Sequence, residues 1–318
     1  MKKIIGILLV LLVLVGCGTK SSDDKVYTIG VLQFMDHPSL QETLDGLKDE
    51  LDSLIGSDGY KLVVKNAGGE MANNNLMAQQ LVDEEVDLIY AIATPSAQAA
   101  YATAEAAEIP VVFNAVTDPV DAGLVESMDK PNTHATGVSD VAPIDIQLKL
   151  IKDILPEAKN VGILYNTSEA NSLVQLAIAK EEASKIGLTI VEQGVSNADQ
   201  IEAAAIQVAS KVDAIYNITD NMIVNATAQV VGVANDANIP VFAAEAGQLD
   251  QGILATDSID YNNLGHLAGV VVHDILLNGT AVQDVAVKTV AETVLYLNKD
   301  VAEKLNITLS DDILNRLD

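Results

Sequence analysis

The stretch VDLIYAIATPSAQ at residues 86–98 occurs a second time, with changes, as VDAIYNITDNMIV at residues 212–224. Both copies begin with Val-Asp and continue with an apolar run typical of a strand that is covered on both faces. The copies then diverge, because the first continues as Thr-Pro-Ser and the second as Asp-Asn-Met. We interpret the shared part as the same strand in two similar domains, and the different ends as candidates for function.

The repeat extends well beyond this phrase. Three further pairs of segments match at similar separations: TIGVL at 28–32 with NVGIL at 160–164, EIPV at 108–111 with NIPV at 238–241, and DAGLV at 121–125 with DQGIL at 250–254. Separations of 126 to 132 residues in four places indicate two lobes of about equal size. A single continuous eight-stranded sheet is the alternative, since the period does not show how the halves join.

Each half alternates short apolar runs with longer amphipathic segments, which predicts βαβ units and parallel sheets. The fold class is therefore α/β, with two doubly wound parallel-sheet lobes and a hinge. Predicted strands cover 27–34, 61–67, 86–93, 109–116, 160–166, 188–194, 212–219 and 239–246. Predicted helices of the first half cover about 38–55, 73–84 and 96–107, and the last of these opens Thr-Pro-Ser, as a capped helix does.

The predicted domain boundaries follow from this pattern. Lobe 1 is expected to contain 26–141 plus about 257–281, and lobe 2 to contain 142–256 plus about 282–318. Residues 257–280 read as a helix with a glycine stop, and VLYLNKDVAEKLNI reads as a strand followed by a short helix. We expect these extra elements to connect the two lobes.

The first seventeen residues, MKKIIGILLVLLVLVGC, predict a signal peptide (1–17), because two lysines precede a short apolar run that ends at a small residue and a cysteine. The ending resembles a bacterial lipobox, which implies that Cys17 becomes an N-terminus acylated with fatty chains such as palmitate. Residues 18–25 then read as a polar tether. The expected location is the extracytoplasmic face of the cell membrane, with the lipid as the anchor. Alternatively, Cys17 ends a short anchor helix unmodified.

Composition excludes several classes of function. The formal net charge of −27 would repel a nucleic acid, so we expect no nucleic-acid partner. Cys17 is the only cysteine, which leaves no disulfide, thiolate catalysis or cysteine-based zinc site in the folded body. No nucleophile elbow, phosphate loop or metal-ligand spacing is present, so we predict no catalytic residue, metal or cofactor. A hydrolase that uses Asp118 and Glu245 as an acid–base pair is the enzymatic alternative.

Ligands of open parallel sheets bind at the carboxyl ends of the strands. Thr94 and Ser96 follow such an end in the first half, where a helix N-terminus favours an anion such as a carboxylate. Asp220 and Glu245 follow strand ends in the second half and favour a cation such as an ammonium group. An α-amino acid carries both groups. The alternative is that Ser96 and Asn221 merely cap helices. His37, next to another strand end, could line the same cleft.

With these features, the mature chain resembles the solute-binding lipoproteins of ABC importers, which have the type I periplasmic-binding fold. It is most similar to the family that includes tryptophan- and other aromatic amino acid-binding proteins. The segments that carry the resemblance are GVLQFMDHPSLQETLDGLKDEL, IATPSAQAA, FNAVTDPVDAGLV, VGILYNTSEANS, IYNITDNMIV and PVFAAEAG. The resemblance implies a cleft between the lobes, a hinge of three chain crossings, and delivery to an ABC permease with its ATPase. We also expect the protein to be a monomer.

The resemblance also implies a set of ligand-binding residues: Phe34, Thr94, Ser96, Thr117, Asp118, Asn166, Asp220, Asn221 and Glu245. Phe34, with Tyr165 or Tyr216, is the nearest candidate for an aromatic wall, although we expect Tyr216 to point into a lobe core. The predicted ligand is an amino acid, most of all an aromatic one such as tryptophan. Two alternatives stay open: a surface receptor or sensor of the same fold, and a binder of sugars or nucleosides. A DNA-binding repressor is excluded because the N-terminus carries an export signal.

Overall fold

The computed structural model describes residues 25–317, which form two mostly parallel six-stranded sheets with helices on both faces. The predicted signal peptide, most of the tether and Cys17 lie outside the described residues. Within 25–317, none of the helices has both the length and the apolar character needed to span a bilayer. The fold class predicted from the sequence is confirmed: two α/β units rather than one continuous sheet.

The elements of the first sheet and its helices, here lobe 1, alternate in chain order. They are β1 (Tyr27–Gln33), α1 (Pro38–Ile55), β2 (Tyr60–Asn66), α2 (Met71–Asp83), β3 (Leu88–Ile92), α3 (Thr94–Ala104), β4 (Val111–Asn114) and β5 (Ala135–Ser139). The strand order is β2-β1-β3-β4-β5, followed by a late strand at the β5 edge. This is the doubly wound arrangement that the repeated βαβ pattern predicts.

The second sheet and its helices, here lobe 2, repeat the order. They are α4 (Ile144–Ile154), β6 (Asn160–Asn166), α5 (Ala170–Lys185), β7 (Thr189–Val195), α6 (Ile201–Ala209), β8 (Ala214–Asn217), α7 (Asn221–Asn225), α8 (Thr227–Asp236), β9 (Val241–Ala243) and β10 (Ala255–Ser258). The strand order β7-β6-β8-β9-β10 is the same as that of lobe 1. The internal sequence repeat therefore corresponds to two copies of one topology.

The remaining elements pass between the lobes. They are α9 (Tyr261–Leu276), β11 (Lys288–Thr289), β12 (Val294–Leu297), α10 (Lys299–Lys304) and α11 (Asp311–Leu314). The chain crosses at about 140–143, 259–260 and 290–293, because β11 pairs in parallel with β5 whereas β12 pairs antiparallel with β10. The sequence-based boundaries need correction in two places. Residues 257–258 belong to β10 of lobe 2, and 282–289 belong with lobe 1, where β11 extends the sheet.

The shared Val-Asp of the repeat has a structural role in both lobes. Asp87 accepts a hydrogen bond from the backbone N–H of Thr28 at 2.8 Å. Asp213 accepts from the backbone N–H groups of Lys159 and Asn160 at 2.7 and 2.8 Å. Each aspartate thus fixes the start of the neighbouring strand. The Lys25 side chain and then the Thr28 N–H lower the pKa of Asp87, and the two backbone N–H groups lower that of Asp213.

The apolar body of the repeat fills the two cores. Tyr90 and Tyr216 occupy equivalent strand positions and are completely buried, as expected for Tyr216. The Tyr90 hydroxyl accepts from the Asn114 amide at 2.7 Å, and the Tyr216 hydroxyl is hydrogen-bonded to the Gln147 side chain. Each buried phenol therefore has a polar partner, which avoids the cost of an unpaired buried hydroxyl.

Two glycines set the distance between α1 and α9 in lobe 1. A Cβ at Gly46 would lie 2.1 Å from the carbonyl oxygen of Asn262, and a Cβ at Gly265 would lie 2.4 Å from that of Thr43. Any side chain would therefore push the helices apart. This close packing ties the late helix α9 to the first helix and fixes the position of the second chain crossing, which leads into α9.

Candidate functional site

A narrow and largely enclosed cavity lies between the lobes, at the carboxyl ends of the strands of both sheets. Lobe 1 and the chain crossings supply its first group of lining residues: His37, Leu40, Thr94, Ala115, Thr117, Asp140 and Tyr261. Lobe 2 supplies Asn171, Thr219, Asn221, Val224 and Glu245. The two lobes therefore enclose one site, as the matching strand ends in the sequence predicted.

On the lobe 1 side, two helix N-termini lack a side-chain cap. Helix α3 begins at Thr94 after Ala93, whose φ of 79° lies in the left-handed region, and no side chain bonds to the free N–H groups. The expected cap by the Thr-Pro-Ser segment is therefore wrong, because Thr94 is already the first helical residue. Helix α1 has His37 at its N-cap, also without a capping hydrogen bond. Both ends present a positive dipole toward the cavity.

A hydrogen-bonded carboxylate lies at the first chain crossing. Asp140 accepts from the Tyr261 hydroxyl at 3.0 Å and from the Thr117 hydroxyl at 3.3 Å. Tyr261 follows the second crossing, so this contact joins two of the three connections between the lobes. Burial raises the pKa of Asp140 to about 6, and the nearby charge of Glu245 acts in the same direction.

Glu245 follows β9 at the lobe 2 side of the cavity. Its side chain is 98% buried and its Oε2 atom has no hydrogen-bond partner. His37 Nδ1 lies 3.9 Å from Oε2 and is also unpaired. Burial raises the pKa of Glu245 to about 7 and lowers that of His37 to about 4. His37 is consequently neutral at pH 7.

Two further carboxylates of lobe 2 are satisfied within the lobe. Asp220 accepts from the backbone N–H of Asn166 at 2.5 Å, from the Ser172 hydroxyl at 2.7 Å and from the N–H of Ile223 at 3.0 Å. Glu169 is buried beside it and accepts from the backbone and side chain of Asn221. Burial, and then the Glu169 charge, raise the pKa of Asp220 to about 7. Both carboxylates thus hold the N-terminus of α7.

Polar groups next to α7 complete the cavity wall. Asn171 donates to the carbonyl of Thr219 at 2.8 Å, whereas its Oδ1 and the Thr219 hydroxyl oxygen have no partner. Asn221 lines the cavity while its amide donates to Glu169 at 2.5 Å. Unpaired buried polar atoms are rare in folded proteins, and four of them (His37, Asn171, Thr219 and Glu245) belong to residues of this one cavity.

The structure brings together four of the nine predicted ligand-binding residues: Thr94, Thr117, Asn221 and Glu245. Phe34 and Asn166 line a neighbouring cavity between the lobes, next to Met35 and Met222. Ser96 donates to the Asn74 side chain at 3.0 Å, and Asp118 accepts from two backbone N–H groups of its own turn. Asp220 is enclosed in the contacts described above. None of these five residues lines the central cavity.

His37 lines the cleft, as its place next to β1 suggested. Several other cavity residues escaped the prediction. Asp140 and Tyr261 were missed because they lie at chain crossings, and the strand before Asp140 was not recognised in the sequence. Asn171 and Thr219 are ordinary polar residues in sequence and gain a role only from their position. Tyr261, rather than Phe34, Tyr165 or Tyr216, is the aromatic side chain in the wall.

Comparisons with known proteins agree with this geometry. Residues 28–318 match the family described as ABC transporter substrate binding protein. A tyrosine-binding protein of Clostridioides difficile is 39% identical over 290 residues, which cover 91% of this chain and 83% of the relative.

Two solved structures are also similar. A domain from Streptococcus pneumoniae in complex with L-Trp has a TM-score of 0.89 and 34% identity, and the match covers 92% of this chain and 98% of that one. The ligand-free, open structure of a substrate-binding protein with adhesive properties from Clostridium difficile has a TM-score of 0.69 and 37% identity, with 90% and 97% covered. At similar identity, the overall structure of this chain is more similar to the L-Trp complex than to the open structure.

The family match covers nearly the whole described chain, and the similar proteins cover more than 90% of it. This chain therefore belongs to the family of ABC transporter substrate-binding proteins.

Proposed function

We propose that this protein binds an aromatic α-amino acid, tyrosine or tryptophan, in the cavity between its lobes. The observation that carries the proposal is the pair of buried carboxylates, Asp140 and Glu245, in a cavity whose described lining contains no lysine or arginine. Two buried carboxylates without a protein cation attract a cationic ligand group. The ammonium group of an amino acid supplies that charge.

The opposite end of the ligand is a carboxylate in this proposal. The uncapped N-terminus of α3 at Thr94, and that of α1 next to it, offer free N–H groups and a positive dipole end. The side chain of the ligand would contact the apolar part of the wall, which consists of Leu40, Ala115, Val224 and the ring of Tyr261. The relatives that bind tyrosine and tryptophan support an aromatic side chain over an aliphatic one.

The binding step in this proposal is a closure of the two lobes on the ligand, without covalent chemistry. Three short crossings connect lobes that otherwise have separate cores, so rotation about the crossings can open the cleft. The ligand stabilises the closed arrangement because it contacts both lobes at once. The closed protein then docks on an ABC permease, and the associated ATPase drives import. We propose a monomer as the working form.

A thermal-shift screen tests the ligand class directly. Each of the twenty amino acids, a panel of sugars and a panel of nucleosides is added to the protein at millimolar concentration, and the melting temperature is recorded. We expect tyrosine, tryptophan, or both to raise it most. The chain contains no tryptophan, so the fluorescence of added tryptophan reports binding without background. A response to sugars or nucleosides with none to amino acids contradicts the proposal.

The lipid anchor is a separate part of the proposal. ABC substrate-binding proteins act outside the cytoplasm, and acylation of Cys17 would hold this one at the membrane surface. Labelling with a palmitate analogue in a bacterial host tests the acylation of Cys17, with Cys17→Ser as the control. We expect label on the wild type and none on the variant. Equal label on both, or release of the wild type into the medium, contradicts the anchor.

The role in transport can be separated from a role as an adhesin or sensor, which the adhesive properties of one structural relative make the second candidate. Uptake of radiolabelled tyrosine or tryptophan is compared in cells with and without the gene. We expect uptake at micromolar concentration to fall when the gene is deleted. Unchanged uptake, together with reduced attachment of cells to a surface, favours the adhesive role.

A further inference from the structure

The geometry points to one ligand amine held jointly by His37 of lobe 1 and Glu245 of lobe 2, so that the ammonium group itself joins the lobes. This inference rests on the proposed function and names the two atoms that recognise the amine: His37 Nδ1 and Glu245 Oε2. It makes His37 a specificity-determining residue, although histidine is not the side chain expected to bind a cation.

The first observation is that neither atom makes a hydrogen bond within the protein, although the Ser39 and Gln248 side chains lie near Glu245. The two atoms are 3.9 Å apart, which is beyond hydrogen-bond distance, and both side chains are more than 90% buried. Leaving a buried acceptor unpaired costs about 1–3 kcal/mol, more when it is charged. Two such atoms that face each other across the boundary between the lobes indicate that a third group belongs between them.

The second observation is that the separation suits one shared donor. A nitrogen about 2.8 Å from each of two acceptors fits between acceptors 3.9 Å apart, with an angle of about 90° at the nitrogen. The hydrogens of an ammonium group point in directions that are compatible with this angle. A direct His37–Glu245 hydrogen bond would instead bring the two atoms to within about 3.2 Å.

The chemistry of the two acceptors then selects the donor. Burial keeps His37 neutral, so its Nδ1 accepts a hydrogen bond when Nε2 carries the proton. An adjacent ammonium charge favours the ionised form of Glu245, which then accepts as a carboxylate. The shared donor must therefore supply at least two hydrogens from one atom. A primary ammonium group has three hydrogens, whereas a hydroxyl group has one and can satisfy only one of the two acceptors. A water molecule has two, but it lacks the positive charge that the buried carboxylate of Glu245 attracts.

The pairing also explains how recognition and closure are linked. His37 is the residue before α1 in lobe 1, and Glu245 follows β9 in lobe 2. Opening the cleft would separate the two atoms and break one of the two hydrogen bonds to the amine. A ligand that lacks the amine would lose this contribution to the closed arrangement as well as the charge interaction with Glu245.

The test compares L-tyrosine with its α-hydroxy analogue, L-3-(4-hydroxyphenyl)lactate, by calorimetry; if the wild type binds tryptophan instead, L-tryptophan and indole-3-lactate are used. Three variants of the full chain are measured with both ligands. His37→Phe keeps a ring but removes both nitrogens, and His37→Asn keeps an acceptor near the position of Nδ1. His266→Phe is the matched control, since His266 bonds to Glu50 on the surface of lobe 1.

We expect the wild type and His266→Phe to bind the amino acid at least about 100-fold more tightly than the hydroxy acid. In His37→Phe the Kd of the amino acid should rise by about 10-fold or more, with less than about a 3-fold change for the hydroxy acid. His37→Asn should recover most of the preference for the amino acid over the hydroxy acid. Because a ratio of two ligands is measured on one folded variant, a general loss of stability does not produce this pattern.

A failure of the proposed function and a failure of the joint role of His37 give different results. If the wild type binds no aromatic amino acid, the proposed function is wrong. If the wild type binds the amino acid and His37→Phe keeps the same preference over the hydroxy acid, the proposed function stands and the joint role of His37 is wrong. Equal weakening of both ligands by His37→Phe also overturns the inference, because His37 would then only shape the cavity.

Discussion

Gly247 of lobe 2 lies directly against Ser39 of lobe 1. A Cβ at Gly247 would be 2.5 Å from the Ser39 hydroxyl oxygen and 3.1 Å from both the Ser39 backbone nitrogen and the Pro38 Cβ. Gly247 belongs to the 3-10 turn Ala246–Gln251 after β9, and Ser39 to the first turn of α1. This contact closes the cleft beside Glu245, and it leaves no room for a side chain.

We expect Gly247→Ala to weaken ligand binding about 10-fold, and Gly247→Val to weaken it further, because each added atom opposes the closed arrangement. Calorimetric affinities check this, with Gly232→Ala in α8 as the control, since a Cβ there meets nothing within 4 Å. Full affinity in Gly247→Val would show that this contact is not required for closure.

The stability of the ligand-free protein should depend on Glu245 and pH. Burial raises the pKa of Glu245 to about 7 in the folded protein, from a usual value of 4.5. Between these values the folded state holds more protons than the unfolded state, so stability falls as pH rises from about 4.5 to 7. This contribution is at most about 3 kcal/mol.

Removing the ionisable group should remove that contribution. We therefore expect Glu245→Gln to be more stable than the wild type at pH 8 and about equal to it at pH 4. Denaturant titrations at several pH values measure the difference. The other groups around Glu245, namely His37, Glu42, Asp140 and Tyr261, are present in both proteins and cancel to first order. A difference that does not vary with pH would contradict a raised pKa.

Asp220 should contribute to stability through the three donors that it satisfies. Asp220→Ala leaves the N–H groups of Asn166 and Ile223 and the Ser172 hydroxyl without their acceptor, which should lower the free energy of unfolding by about 2–4 kcal/mol. Urea titrations measure this, with Asp118→Ala on a partly exposed turn as the control. If Asp220→Ala keeps the stability of the wild type but no longer binds ligand, Asp220 is a ligand-binding residue and its structural role is wrong.

Arg316 is the only arginine, and it anchors the C-terminal segment of lobe 2. Its guanidinium donates to Asp257 at 2.5 Å, and Asp257 is completely buried on β10. Arg316→Leu leaves an uncompensated buried charge and should cost about 3 kcal/mol in unfolding free energy. Lys149→Leu, which removes the exposed pair with Asp153, should cost less than about 0.5 kcal/mol. Equal effects from the two variants would show that the Arg316 contact is weak.

Much of the fold could be predicted because it is encoded locally. Apolar runs of strand length, separated by amphipathic helices and written twice, specify two parallel sheets, and the bounds of α1 at Pro38–Ile55 match the prediction from periodicity. Strands such as β5 and β11 were missed. Both are short, and β5 contains Thr, Gly and Ser, so their pairing depends on an existing sheet edge rather than on their own pattern.

The candidate site could be predicted only in part, for a physical reason. Residues that follow a strand end point toward the cleft by topology, as Thr94, Thr117, Asn221 and Glu245 do. Whether a carboxylate at such an end faces a ligand or the interior depends on its neighbours. Asp220 accepts hydrogen bonds from three donors of its own lobe, whereas Oε2 of Glu245 accepts none.

The sequence by itself determined the fold class, the two lobes, the side of each sheet where a ligand would bind, and the predicted export signal. These depend on hydrophobic periodicity and on an internal repeat, which are properties of neighbouring residues. Only the tertiary structure decided which carboxylates remain unpaired and which residues meet across the lobes, such as His37 with Glu245 and Ser39 with Gly247. Those pairs are more than 200 residues apart, and their contact arises only from the packing of two separately folded units.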